Sequence, residues 1–508
     1  MTSDFILAID QGTTSSRVLV FSADGRIAGR GSRELPQYFP QPGWVEHAPG
    51  EIWETVAAAI KLALDDAGVS GASIAAIGIT NQRETAVLWD RETGEPLCRA
   101  IVWQDRRTTD VCASLIRSGR QSEIQLMTGL VVDPYFSATK VQWMLNHVGG
   151  ARSRAERGEV CFGTVESFLV YRLSGGMRRD APHVTDVTNA SRTLLMDLES
   201  RCWSPAMLEL FEVPASVLPR IVTCAETVAR TRDVEGLPDG IPISGLAGDQ
   251  HAALFGQGCF APGDTKCTYG TGAFVLVNTG TAPVRSRYRL LSTMAWQLGS
   301  EATYAMEGSC FVAGAAIQWL RDGLGLLRTA AESESLARQA DSTDGVVFVP
   351  ALAGLGAPHW DPDARGLLMG LTRGTRPSHI ARAALEGIAF QVDDILEAMR
   401  SDLGRPLTRF RVDGGAAGND LLMQLQSDTS AIAVERPREI ESTARGAAML
   451  AGLGVGLYSD PMDAAQMIGI EKSFMVRMGD GERVSRQRLW QDAVRRARTP
   501  ADRHDAGA

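Results

Sequence analysis

The sequence predicts an α/β protein built from two similar domains that share one cleft. Three observations carry this reading. The chain has 508 residues, more than one ordinary hydrophobic core supports. Near its start a short turn rich in Gly, Thr and Ser, Asp10 to Arg17, separates two apolar runs, Phe5 to Ile9 and Val18 to Phe21. Roughly 260 residues later the same design returns as Thr265 to Tyr269, then Gly270-Thr271-Gly272, then Ala273 to Asn278.

A polar turn of this kind aims backbone N–H groups and hydroxyls into one concavity, which suits an anion. Asp10 ends the first strand, where it would hold a hydrated Mg²⁺ beside a phosphate. Arg17 would neutralise phosphate oxygens. A single such turn reads equally as an ordinary β-turn; its repetition promotes it to a nucleotide site.

Taken in order, Asp24-Gly25 turns the chain into a third strand, which makes the opening a β-meander. A helix spans 51 to 67, with Ile52, Val56, Ile60, Ala63 and Ala67 on one face and Gly68 as its stop. Apolar runs at 74–79, 85–89 and 97–103 alternate with polar turns and predict a mixed sheet, α/β or α+β. Polar tails follow two of them: Thr80-Asn81-Gln82-Arg83-Glu84 and Trp103-Gln104-Asp105-Arg106-Arg107. Arg83 and Glu84 alone read as a surface salt bridge, Trp103 as core and Tyr135 as turn packing.

The stretch 175–180 reads as a surface loop, and 226–242, with Gly236, Pro238, Gly240 and Pro242, as the connection between halves. At 243–253 a strand runs through glycines into a helix. Asp249 there serves as a helix N-cap, or as a carboxylate able to accept a proton from a substrate hydroxyl. After the second hairpin come a strand near 302–306, a helix at 312–322 carrying Gly314 and Gln318, and an amphipathic helix at 380–400. Strand Arg409 to Val412 then ends in Asp413-Gly414-Gly415-Ala416-Ala417-Gly418-Asn419, where small residues let a flat adenine or ribose approach the backbone. Residues 446–458 read as a tightly packed helix. Neither a Gly-x-x-x-x-Gly-Lys-Ser/Thr loop nor a Gly-x-Gly-x-x-Gly run occurs, which excludes the P-loop, protein-kinase and Rossmann templates.

Bulk composition limits the partners. With 44% hydrophobic and 22% charged residues the chain is that of a globular protein with substantial cores. A net charge of −9 argues against nucleic acid or an anionic membrane, yet leaves room for a small anion such as ATP. The eight cysteines form no Cys-x-x-Cys pair, which predicts reduced thiols in the cytoplasm rather than a zinc site. Asp4 and a five-residue apolar run offer no signal peptide, and no stretch reaches membrane-spanning length.

Together the stretches DQGTTSSR at 10, GITNQRET at 78, AIVWQ at 100, GLVVDPYFS at 129, HVTDVTNASRT at 183, ISGLAGDQ at 243, TYGTGAF at 268, GLGAPHWDPDARG at 354 and VDGGAAGN at 412 resemble the FGGY carbohydrate kinases, and within them the branch acting on glycerol. The resemblance implies two actin-like (ribonuclease-H-like) domains, 1–253 and 254–508, flanking a central cleft. It implies transfer of the ATP γ-phosphoryl group to the 3-hydroxyl of glycerol, with Mg²⁺, in a homo-oligomer (dimer or tetramer). By the same resemblance Arg83, Glu84, Trp103, Tyr135, Asp249, Gln250 and Phe274 contact glycerol, with Asp249 as general base. Thr13, Thr14, Ser15, Arg17, Thr271, Gly314, Gln318, Gly415 and Asn419 contact the nucleotide, and Asp10 lies at the metal. His251, following Asp249-Gln250, reads as a helix-surface residue or as a side chain supporting the site residues from behind. The basic Gly-rich loop that binds a sugar bisphosphate in some members is not evident in 226–240. A kinase for another polyol or sugar, and a nucleotide-gated binding protein, are the competing readings.

Overall fold

In a computed structural model, which describes residues 5–176 and 181–499, two mixed sheets repeat one topology. The first contains β1 (Phe5–Gln11), β2 (Ser15–Ser22), β3 (Ile27–Glu34), β4 (Ile74–Asn81), β5 (Ala225–Arg230) and β6 (Pro242–Gly248). Its order is β5-β6-β4-β1-β2-β3. The meander β1-β2-β3 is antiparallel, β4 and β6 add in parallel, and β5 closes the edge antiparallel.

The second sheet contains β7 (Asp264–Tyr269), β8 (Ala273–Gly280), β9 (Leu291–Leu298), β10 (Glu301–Cys310), β11 (Arg409–Asp413), β12 (Val434–Pro437) and β13 (Ile470–Phe474). It runs β9-β10-β8-β7-β11-β12-β13. Again an antiparallel meander, β7-β8-β10, is followed by two parallel strands and an antiparallel edge. Strand β9 is an additional edge that the sequence pattern left unassigned.

Strands buried on both faces read as continuous apolar runs, because alternate residues serve opposite sides. On β1, Leu7 and Ile9 pack with Ile52, Val56, Ile60 and Ala63 of helix α1 (Pro49–Ala67), which Gly68 ends in the left-handed region at φ 64°. Ile6 and Ala8 instead pack with Ala444, Ala447, Ala448 and Ala451. Helix α2 (Asp249–Gly256) follows β6, and α3 (Gly314–Asp322) and α4 (Pro377–Leu403) follow β10. Three more complete the set: α5 (Asp420–Ser430), α6 (Ser442–Gly454) and α7 (Asp480–Ala497). The apolar stretch 446–458 thus lies mostly in α6, a helix from late in the chain that covers the first sheet. A Cβ on Gly446 would overlap the Ala252 carbonyl, and one on Gly78 the Ala447 carbonyl. Glycine is what lets α6 lie this close to α2 and β4.

Three assignments change. The runs at 85–89 and 97–103 are not in the main sheet: Val87–Asp90 pairs with Val160–Gly163, and Ala100–Ile101 with Glu46–His47. The reason is local, since Glu84 has φ 60° and Thr85 N–H donates to Arg83 O at 2.7 Å, a bend that carries the chain off β4. Next, 226–242 is no linker but an edge hairpin, its glycines and Pro238 at the tip between β5 and β6. The crossing between halves is the stretch 257–263, between α2 and β7. Of the loop expected at 175–180, residues 177–180 lie outside the described residues. Among the described residues no helix is long and apolar enough to cross a membrane.

Candidate active site

The carboxyl ends of the parallel strands β4, β6, β7 and β11, together with the two meander turns, supply the candidate residues, the usual place for a ligand in sheets of this kind. In the first turn Gly12 N–H donates to Ser15 O at 2.9 Å, which folds Thr13, Thr14 and Ser15 into a tight loop. Thr13 Oγ1 accepts from Trp103 Nε1 at 2.8 Å, so this loop is tied to the polar tail after the third apolar run. Asp10 and Arg17 face each other across the β1-β2 pair. Burial raises the Asp10 carboxyl to about 7; Arg17 opposes the rise, while Asp249 and Glu441 add to it. The Arg17 guanidinium is ion-paired with Glu441, the residue before α6.

The second turn closes in the same manner, Gly270 N–H to Gly272 O at 2.9 Å. It is braced by the start of α3, where Gly314 N–H donates to Gly270 O at 3.0 Å and Ala315 N–H to Thr271 O at 3.1 Å. Thr271 and Gln318 are exposed. Beside this turn, since β7 pairs in parallel with β11, lies the turn Gly415–Gly418. Asn419 caps α5: its Oδ1 accepts from Leu422 N–H at 2.9 Å and its Nδ2 donates to Ser333 Oγ at 3.2 Å.

Arg83 and Glu84, which the sequence alone assigned to the surface, are buried at 3% and 1% exposure. A buried charge persists only when paired, and two residues without a sequence-assigned role supply the pairing. Arg83 Nη1 and Nη2 donate to Glu307 Oε2 and Oε1 at 2.6 and 3.3 Å. Arg192 Nε donates to Glu84 Oε1 at 2.7 Å, and its Nη2 to Glu307 Oε1 at 2.9 Å. Burial tends to raise the Glu307 carboxyl, but Arg192 and Arg83 outweigh it and hold it down at about 2. The left-handed backbone of Glu84 is pinned by Ser137 Oγ and Lys140 Nζ, which donate to its carbonyl at 3.1 and 3.2 Å. Strain of this kind concentrates at ligand sites.

Tyr135 OH accepts from Arg83 Nη2 at 3.4 Å, and its ring meets Trp103 edge-on, centroids 5.6 Å apart. Both rings are half-buried. Asp249 is the first residue of α2, not its cap; Gly248 holds the cap position. Its Oδ1 accepts from Gln250 N–H at 2.6 Å and lies 3.0 Å from Arg83 Nε, with a third of the side chain open. Gln250 Oε1 accepts from the buried Lys266, whose Nζ also donates to Thr268 Oγ1 at 2.9 Å. Phe274, half-buried on β8, stands opposite Thr268 of β7 and Ser309 of β10. His251 is not on the surface. It is fully buried behind Gly248, with Nε2 3.2 Å from Thr293 Oγ1. Burial first, then the cations Arg83, Arg192 and Lys266, keep it neutral.

Arg192, Glu307 and Lys266 had a signal in the sequence. Arg192 and Glu307 are each a lone charge inside an apolar or hydroxyl-rich stretch, Asn189-Ala190-Ser191-Arg192-Thr193-Leu194 and Tyr304-Ala305-Met306-Glu307-Gly308, and Lys266 lies within a strand run, Thr265-Lys266-Cys267-Thr268-Tyr269, that is otherwise uncharged. Such a charge is costly to bury unless a partner awaits it.

The chain matches the N-terminal domain of the FGGY family of carbohydrate kinases over residues 5–256 and the C-terminal domain of that family over residues 265–455. It is 53% identical over 495 residues to glycerol kinase of Myxococcus xanthus, covering 97% of this chain and 99% of that relative. It is 54% identical over 492 residues to glycerol kinase of Alkalilimnicola ehrlichii, covering 97% of this chain and 98% of that one. Among solved structures it is similar to Plasmodium falciparum glycerol kinase with ADP, with a TM-score of 0.91, 37% identity and 98% of each chain covered.

Proposed function

The chain belongs to the FGGY family of carbohydrate kinases, and from that membership we propose that it transfers the γ-phosphoryl group of ATP to glycerol, giving sn-glycerol 3-phosphate. The observation that carries the reading is the convergence of Arg83, Asp249, Tyr135 and Trp103 beside the first turn, in a chain 53% identical to a glycerol kinase over nearly its whole length. Glycerol is small and neutral, so recognition must come from hydrogen bonds to its hydroxyls and cover for its carbons. Arg83 and Glu84 bind two hydroxyls, Trp103 and Phe274 cover the carbon chain, and Gln250 helps orient it. Asp249, the site's partly open carboxylate, takes the proton of the attacking hydroxyl. The turns at Thr13, Thr14, Ser15 and Thr271 align the phosphates with Arg17, while Gly314, Gln318, Gly415 and Asn419 hold the nucleoside side. Alignment and charge neutralisation are most of what phosphoryl transfer requires.

Mg²⁺ fits the residues present. Asp10 would hold it: burial and two neighbouring carboxylates strain its charge, which a divalent cation relieves. An ion of this kind is held by one or two carboxylates, waters and substrate phosphates rather than by a full protein cage. When bound, the ion neutralises phosphate oxygens. The same reading carries with it a cytoplasmic homo-oligomer, dimer or tetramer, which sedimentation tests.

The test is ADP release by purified protein with Mg-ATP across glycerol, other polyols and pentuloses. Strong stimulation by glycerol is expected. Stimulation by another polyol alone would replace the substrate, and ATP binding without turnover on any of them would favour a nucleotide-gated binding protein.

A further inference from the structure

We propose that Glu307 and Arg192 are positioning residues for the polyol site, Glu307 fixing the guanidinium of Arg83 and Arg192 fixing the carboxylate of Glu84. The inference rests on the reading of Arg83 and Glu84 as polyol contacts. Its observation is a closed ring of four charges, all buried to 3% exposure or less. Glu307 grips Arg83 with both oxygens, at 2.6 and 3.3 Å, while Arg83 Nε faces Asp249 at 3.0 Å. Two edges of the guanidinium plane are therefore set, and the side toward Tyr135 faces the half-buried aromatic pair. Glu307 Oε1 also accepts from Arg192 Nη2 at 2.9 Å, and Arg192 Nε holds Glu84 Oε1 at 2.7 Å. The Arg192 guanidinium itself sits against the rings of Tyr135 and Phe136, 5.7 and 5.2 Å from their centroids.

The two positive and two negative charges cancel, which is what makes the burial tolerable. The ring also joins the halves of the chain, since Glu307 lies on β10 of the second sheet while Arg83 and Glu84 follow β4 of the first. A misplacement of about 1 Å in a group that orients substrate is enough to cost on the order of 100-fold, so the ring's value lies in geometry that a substrate reads.

The test compares Glu307→Gln, Glu307→Asp and Arg192→Lys with the wild type in glycerol-dependent ADP release, with folding checked by circular dichroism. Glu307→Gln is expected to raise the KM for glycerol by roughly 30-fold or more while the KM for ATP stays within about threefold. Glu307→Asp, which keeps the charge, should recover part of that loss. Equal rises in both KM values, or a folded variant whose glycerol KM moves less than about threefold, would overturn the proposal. If Glu307→Gln does not fold, Arg192→Lys decides by the same criterion, because lysine keeps the charge but cannot span Glu84 and Glu307. A wild type that turns over no polyol would overturn the functional reading, and that outcome is visible before any variant is made.

Discussion

Asp249 is the residue on which the chemistry turns. It opens α2 with a third of its side chain exposed and lies 3.0 Å from Arg83 Nε. Asp249→Asn keeps the size and the hydrogen bond from Gln250 N–H but removes the proton acceptor. We expect kcat to fall at least roughly 100-fold with the KM for ATP little changed; a loss below about tenfold in steady-state assays would take the base role from this residue. At this scale the sequence was informative where a motif stood at a strand end and silent where a partner came from far away. Arg83 and Glu84 were visible as a pair, but their burial depends on Arg192 and Glu307, 108 and 224 residues distant from Glu84 and Arg83 respectively. His251 was misplaced for the same reason: only the packing of β9 against α2, through Thr293, makes that face of the helix interior.

Among the elements, α4 and α7 form the clearest pH-sensitive contact. Phe390 stacks on Trp490 with centroids 5.5 Å apart, and Asp393 of α4 accepts from Gln487 Nε2 of α7 at 3.0 Å. Burial raises the Asp393 carboxyl from 3.8 to about 7, although Gln487 and Arg400 pull it down. The folded protein therefore keeps a proton that the unfolded chain has released, and stability falls as pH rises from about 4 to about 7, then levels. That gap corresponds to at most about 4 kcal/mol. Asp393→Asn should remove this group's share of the slope, which Asp10 also contributes to, and give a higher Tm than wild type at pH 8, with little difference near pH 4; parallel Tm curves across that range would refute it. Strong periodicity made helices such as α1 and α4 legible from sequence. The short strands after Glu84 were legible as apolar runs, but their place outside the main sheet was not, because a left-handed turn at a glutamate leaves no signature in composition or spacing.

As a whole molecule, the two sheets repeat one strand order, and the repeat of Gly-Thr turns announced that duplication. What spacing could not announce is the seat of α6, whose glycines and alanines lie against β4, β6 and α2. Arg17 with Glu441 and Arg30 with Glu439 add ion pairs beside it. Because the first sheet's core is finished by a helix from residues 442–454, the halves should melt as one unit. Calorimetry should record a single transition, and Gly446→Ala should shift it as a whole to lower temperature, at a cost of about 1–3 kcal/mol; two resolved transitions would argue for independent halves. The same seat sets a schedule on the ribosome. Strands β1 to β6 and α2 are complete by residue 256, yet their covering helix ends at residue 454. At about 5–20 residues per second the nascent sheet waits roughly 10–40 seconds with one apolar face bare. Synthesis of this chain thus passes through an interval in which that face lacks its own helix and is open to aggregation.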